Sequence, residues 1–215
     1  RLPFNEAQLR QIFSIEEGVY SIDKVAGGGG YYSRVWIPLL GLLTGARLDE
    51  IATLKPADVL EAPVPHIVIR AGKTQSSVRE VPLHSKLIEL GFLKYVDAVR
   101  KAGHASLWPR LRSNSQMVKD SEVLGRWFNR FIHDTLKMPS TVVFHSLRHT
   151  FKDMCRDALI PSEIHHALTG HLSDRDEKNV GDSYGTGFSL ETKRSQLELI
   201  KLPFDLPRPK PFAAR

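Results

Sequence analysis

The stretch from Phe144 to His171, FHSLRHTFKDMCRDALIPSEIHHALTGH, constrains this chain more than any other. Wound at about 100° per residue, it puts His145, Arg148, His149, Lys152 and Arg156 within one arc of roughly 100°. The opposite arc carries Phe144, Leu147, Phe151, Met154, Cys155 and Ala158. A helix with that pattern buries one side and offers cations on the other. His145 and Arg148 fall in its first turn, where unpaired N–H groups and the helix dipole already favour negative charge, so a phosphate is the natural guest. Two other readings fit the same residues. One is a solvated basic face. The other is a metal site, since His145 and His149 are four apart with Asp153 a further turn along; against it, no Glu follows the first His and Arg148 adds positive charge beside the metal.

The 215 residues suffice for one domain with a real core. Thirty Lys plus Arg against twenty-four Asp plus Glu give a net charge of +6, a modest excess that points towards a polyanion. The single cysteine, Cys155, excludes an internal disulfide framework and fits a reducing cytosol; lying on the apolar arc, it is a core residue before it is a nucleophile. The longest apolar run, Val35 to Leu43, is about half what a membrane span needs and contains Pro38, so no membrane partner is expected.

In chain order, Asn5 caps a first helix carrying Leu9, Ile12 and Phe13. An apolar helix over Tyr31 to Leu43 ends at Thr44 and Gly45, and Arg47 opens the next, with Leu48, Ile51 and Ala52 on its buried side. Glu50 lies one turn after Arg47, placed either to hold its guanidinium in a fixed plane by a bidentate contact or to form an ordinary exposed pair. His66 to Arg70 and Val78 to Leu83 read as the strands of a hairpin with Lys73 at its tip. Ser85 to Lys101 and Asp120 to Leu136 read as amphipathic scaffold helices, and the loop holding Trp108, Arg110 and Arg112 as one able to touch a DNA backbone. Pro161 and Ser162 start a short helix ending at Gly170, with His165 and His166 on its surface and His171 just past its end. Tyr184 follows between glycines, then a last helix marked by Leu190, Leu197 and Ile200.

Five of these segments carry a resemblance. LLTGARLDEI around Arg47, GKTQSSVREVPL around Lys73, HSLRHT at His145, LTGH at His171 and the YG dipeptide at Tyr184 resemble, in order and rough spacing, the motifs of tyrosine recombinases, the phage-integrase family. It covers about Trp36 to Ile200. The resemblance implies that Arg47, Lys73, His145, Arg148 and His171 form the active-site set, that Tyr184 is the nucleophile, and that Glu50 is the acidic companion of the first arginine.

The chemistry agrees with that assignment. Transesterification at a DNA phosphodiester adds negative charge to the non-bridging oxygens, and two fixed guanidinium forks bind that charge better in the transition state than in the ground state. A phenol with an ordinary pKa near 10 needs adjacent cations and a proton acceptor to attack. The departing 5′ oxygen needs a proton, which a lysine destabilised by neighbouring arginines supplies well at pH 7.

The expected protein is therefore mainly α with a small antiparallel hairpin or three-stranded sheet. Residues 1–202 form a tyrosine recombinase catalytic domain, the N-terminal DNA-clamping domain being absent from this fragment, and 203–215 form a flexible Pro-rich tail. The expected function is metal- and ATP-independent site-specific recombination, with no cofactor, through a 3′-phosphotyrosyl intermediate, for integration or excision of a mobile element. The expected partners are double-stranded DNA and three further copies in a tetramer, the C-terminal helix docking on a neighbour. The expected setting is the cytoplasm of a bacterium or a phage host, at the nucleoid. A type IB topoisomerase-like nicking-closing enzyme and a DNA-binding module that no longer cuts are the rivals.

Overall fold

The computed structural model describes residues 1–21, 29–70, 78–113, 115, 117–170 and 187–213. The elements run α1 (Glu6–Ile12), α2 (Tyr31–Thr44), α3 (Leu48–Ala52), β1 (Val59–Leu60), β2 (His66–Ile69), β3 (Arg79–Pro82), α4 (Ser85–Glu89), α5 (Phe92–Lys101), α6 (Asp120–Arg130), α7 (Ser146–Asp157), α8 (Ser162–Thr169) and α9 (Leu190–Leu197). The protein is mostly helical with one antiparallel three-stranded sheet, in the order β1-β2-β3, with Ile67 opposite Val59 on one side and Val81 on the other.

The most apolar helix, α2, is the central post. Its residues from Ser33 to Thr44 are all buried, and it packs lengthwise on the apolar side of α7. Leu147, Phe151 and Cys155 of α7 are fully buried, as the two-faced pattern requires. A single core joins α1, α2, α5, α6 and α7 to β2 and β3. On the other side of the sheet, α8 and α9 pack against β3; Leu190 and Leu197 are buried, and the Lys193 ammonium donates to the Glu80 carbonyl at 2.7 Å. In this chain the C-terminal helix thus lies against its own sheet.

Three details depart from the sequence reading. The helix expected over Ser85 to Lys101 is two, because Gly91 sits at φ +94°, a left-handed conformation that ends α4 and re-aims the chain so that Phe92, Tyr95, Val96 and Val99 face inward. The helix expected to Leu136 widens after Arg130 into a π turn over Phe131–Thr135. Trp108 is core rather than a DNA-touching loop residue: its indole N–H donates to the Ile51 carbonyl at 2.7 Å and pins the end of α3, leaving Arg110 and Arg112 exposed.

The tail from Pro203 has neither helix nor strand but runs along the body. Phe204 and Leu206 are buried, Tyr32 donates to the Pro211 carbonyl at 2.6 Å, and the Phe212 ring lies 5.0 Å from Tyr32 and 5.6 Å from Tyr95. Composition argued for flexibility because it counts prolines and charges. It cannot see that Phe204 packs beneath Arg10 of α1 while Phe212 finds an aromatic groove between α2 and α5. Among the described residues no helix is long and apolar enough to cross a membrane.

Candidate active site

Two backbone features bring the arginines together. Gly45 ends α2 at φ +64°, and a Cβ there would stand 2.3 Å from the Phe151 ring, so only glycine lets the chain turn this close to α7. Arg47 follows as the residue capping α3, with its side chain 44% exposed and directed outward. From the facing helix, Arg148 in the first turn of α7 donates to the Gly45 carbonyl, two residues before Arg47. Residues a hundred positions apart in sequence therefore share one corner of the α2–α7 interface.

The electrostatics follow from that crowding. Burial, then the Arg47 and Arg79 charges, push the Arg148 guanidinium down to about 10, Glu50 opposing. Burial and the neighbouring His149, Arg148, Arg47 and Lys152 push the His145 imidazole below its ordinary range, favouring the uncharged ring. The His145 and His149 rings meet edge to face with centroids 5.0 Å apart. Lys152, one turn beyond Arg148, is pushed down by burial and by Arg148, Arg156 and Arg47. The result is a concentration of positive charge at this corner, a site arranged to receive an anion.

Glu50 is where the structure corrects the expected geometry. It is buried, 4% exposed, not an ordinary surface partner. Its contact with Arg47 is split: Oε2 accepts the Arg47 backbone N–H at 2.8 Å and Oε1 accepts an Nη1–H at 3.0 Å. The bidentate fork expected for Arg47 comes instead from Arg79, at the start of β3, whose Nη1 and Nη2 donate to Oε1 and Oε2 at 3.1 and 2.8 Å. Burial alone would raise the Glu50 pKa, but the Arg79 and Arg47 bonds and charge outweigh it and hold the carboxyl below its usual range.

Of the expected site residues, Arg47, Glu50, His145 and Arg148 are brought together. Lys73, His171 and Tyr184 lie outside the described residues. Flanking positions are described: β2 and β3 lead to and from the hairpin tip, and α8 ends at Gly170 in the left-handed region, φ +61°. Arg79 lies in the motif GKTQSSVREVPL, and the sequence reading gives it no role; the signal is its placement at the entry of a half-buried strand, where a charged side chain needs a partner. His165, expected on the surface, is 7% exposed, because α8 is covered on two sides by β3 and α9. As for a metal, Asp153 pairs with Arg156 rather than with the histidines, and no cluster of three or more His, Cys, Asp or Glu suited to a metal occurs among the described residues.

No protein-family model matches the sequence, and no curated protein does. The fold, in contrast, is shared with solved structures. An integrase from mycobacterium phage Brujita matches with a TM-score of 0.58 at 13% identity, over 95% of this chain and 59% of its own. The Tn1549 transposon integrase, solved in complex with transposon right end DNA, matches with a TM-score of 0.56 at 21% identity, over 92% of this chain and 65% of its own. The catalytic core of lambda integrase matches with a TM-score of 0.52 at 18% identity, over 80% of this chain and 96% of its own. The chain thus spans less than two thirds of the first two and nearly all of the lambda core. It has the fold of a tyrosine recombinase catalytic domain.

Proposed function

We propose that this chain is the catalytic domain of a site-specific DNA recombinase that cuts and rejoins strands through a 3′-phosphotyrosyl intermediate, serving integration or excision of a mobile element. The observation that carries the proposal is the meeting of Arg47 and Arg148 at the α2–α7 corner, with Glu50 buried behind Arg47. The DNA-bound state of the Tn1549 integrase and the site-specific recombination named for XerH, which shares the fold with a TM-score of 0.52 at 18% identity, support the choice of substrate.

In this reading the two guanidinium groups grip the non-bridging oxygens of one phosphodiester. The Tyr184 phenolate oxygen attacks phosphorus and forms the new P–O bond as the bond to the 5′ oxygen breaks. Lys73 protonates that departing oxygen, and His171 donates a hydrogen bond to the phosphate. His145, its ring biased towards the uncharged form by burial and neighbouring cations, accepts or positions a proton. The phosphotyrosyl ester keeps the energy of the cut bond, so a 5′ hydroxyl from a second duplex reseals the strand without ATP or metal. Two DNA sites and four copies of the chain complete the exchange.

The test is a nicked suicide duplex incubated in EDTA and scored for a denaturation-resistant protein–DNA adduct. The proposal expects an adduct in the parent and none in Tyr184→Phe, with duplex binding retained. An adduct that persists in that variant refutes the nucleophile assignment, and a parent that binds but never forms one is a binding module. Supercoil relaxation by a monomer on DNA with one site would favour the topoisomerase-like rival.

A further inference from the structure

Arg79 has no place in the chemistry above, yet its side chain is only 7% exposed and it ties its own strand to two other segments. The fork to Glu50 reaches α3, and Nε donates to the Leu168 carbonyl at 2.9 Å in the last turn of α8. Its own strand, β3, pairs with β2, and in sequence Lys73 lies between the two. Next to Leu168, Gly170 leaves room for the guanidinium: a Cβ there would stand 2.7 Å from Nη1. One planar group therefore sets the spacing of the elements that lead to Arg47, to Lys73 and to His171.

The Glu50 carboxylate has about four lone-pair positions. Two receive the Arg79 fork and two receive the Arg47 backbone and Nη1, so all are filled. With the Arg79 fork gone, the two vacated positions would face the nearest remaining cations. Arg47, already bonded to the same carboxylate, would be drawn into a full fork of its own, and its charge would be cancelled by Glu50.

We infer that Arg79 is a positioning residue that saturates Glu50 and so keeps the outward N–H groups of Arg47 available for the phosphate. The inference rests on the recombinase reading for the identity of that phosphate, but its test does not require cleavage. In a double-mutant cycle on affinity for a short DNA duplex at low salt, Arg47→Ala costs the parent about 10- to 100-fold, the worth of a charge-assisted contact. In an Arg79→Met background the same change costs less than about 3-fold.

An equal penalty in both backgrounds overturns the inference. Arg79→Lys restores the charge without the fork and provides a second variant if Arg79→Met folds poorly; the Arg47 penalty stays reduced in it. Full recovery with lysine also overturns the claim, because charge alone would then suffice. A parent that binds duplex but forms no adduct on the nicked substrate sinks the recombinase reading, while the cycle still decides on Arg79. The cleavage rate separates positioning from general weakening: Arg79→Met lowers the single-turnover rate about 100-fold, the cost of a small misplacement. A loss confined to melting temperature, with the Arg47 penalty the same in both backgrounds, refutes the positioning role.

Discussion

Arg148→Met is expected to make the protein more stable and less able to bind an anion. Arg148 is 5% exposed and faces Arg47 and Arg79 with one buried carboxylate between them. Lowering its pKa from the ordinary guanidinium range to about 10 corresponds to about 3 kcal/mol held against the charged form. Methionine keeps most of the apolar stem and removes that cost, but it leaves the Gly45 carbonyl without its donor, which returns about 1 to 2 kcal/mol. The net gain is about 1 to 2 kcal/mol, and for a chain of this size each kcal/mol raises the melting temperature by about 2 to 4 °C.

The pH dependence follows from the direction of the shift. The folded protein holds the Arg148 proton less tightly than the unfolded chain does, so the cost is present at every pH below about 10 and fades as the pH rises through 10 towards the ordinary guanidinium range. The gap between variant and parent is therefore flat between about pH 6 and 9. Thermal unfolding by circular dichroism, at low salt and across that range, reads it directly. Adding a duplex should raise the melting temperature of the parent and leave the variant nearly unmoved. A variant that melts clearly below its parent, or a gap that closes between pH 6 and 9, refutes the claim that the site stores repulsion that an anion relieves.

Other perturbations test separate parts of the site and fold. Gly170→Ala combines a left-handed backbone position with a Cβ 2.7 Å from the Arg79 guanidinium, so urea unfolding should show a loss of about 1 to 3 kcal/mol. The same variant should lose cleavage, and an unchanged urea midpoint counts against the Arg79 contact. Because burial and nearby cations lower the His145 pKa, the acidic limb of kcat/KM that depends on His145 should lie at lower pH than for an ordinary imidazole; a limb at or above the ordinary imidazole position contradicts the crowding described here. Ending the chain after Leu202 removes buried Phe204 and Leu206 together with the docked Phe212, at about 1.5 to 3 kcal/mol for each fully buried side chain. A truncated protein as stable as the parent would mean that the tail contributes nothing.

Local pattern determined much of this protein. The two faces of Phe144–Ala158, the glycine stops at Gly45 and Gly170, the hairpin strands around Lys73 and the apolar post from Tyr31 were legible because each depends on the periodicity or backbone freedom of a short stretch. The anion-seeking arc on α7 was legible for the same reason. Tertiary structure alone decided which distant groups meet. That Arg148 reaches the carbonyl of Gly45, that Glu50 spends its fork on Arg79 rather than on its neighbour in sequence, and that the proline-rich tail seats Phe212 between Tyr32 and Tyr95 are outcomes of packing. A buried carboxylate takes the partner whose geometry best fills its lone pairs, and sequence spacing carries no information about a partner twenty-nine residues away on another element.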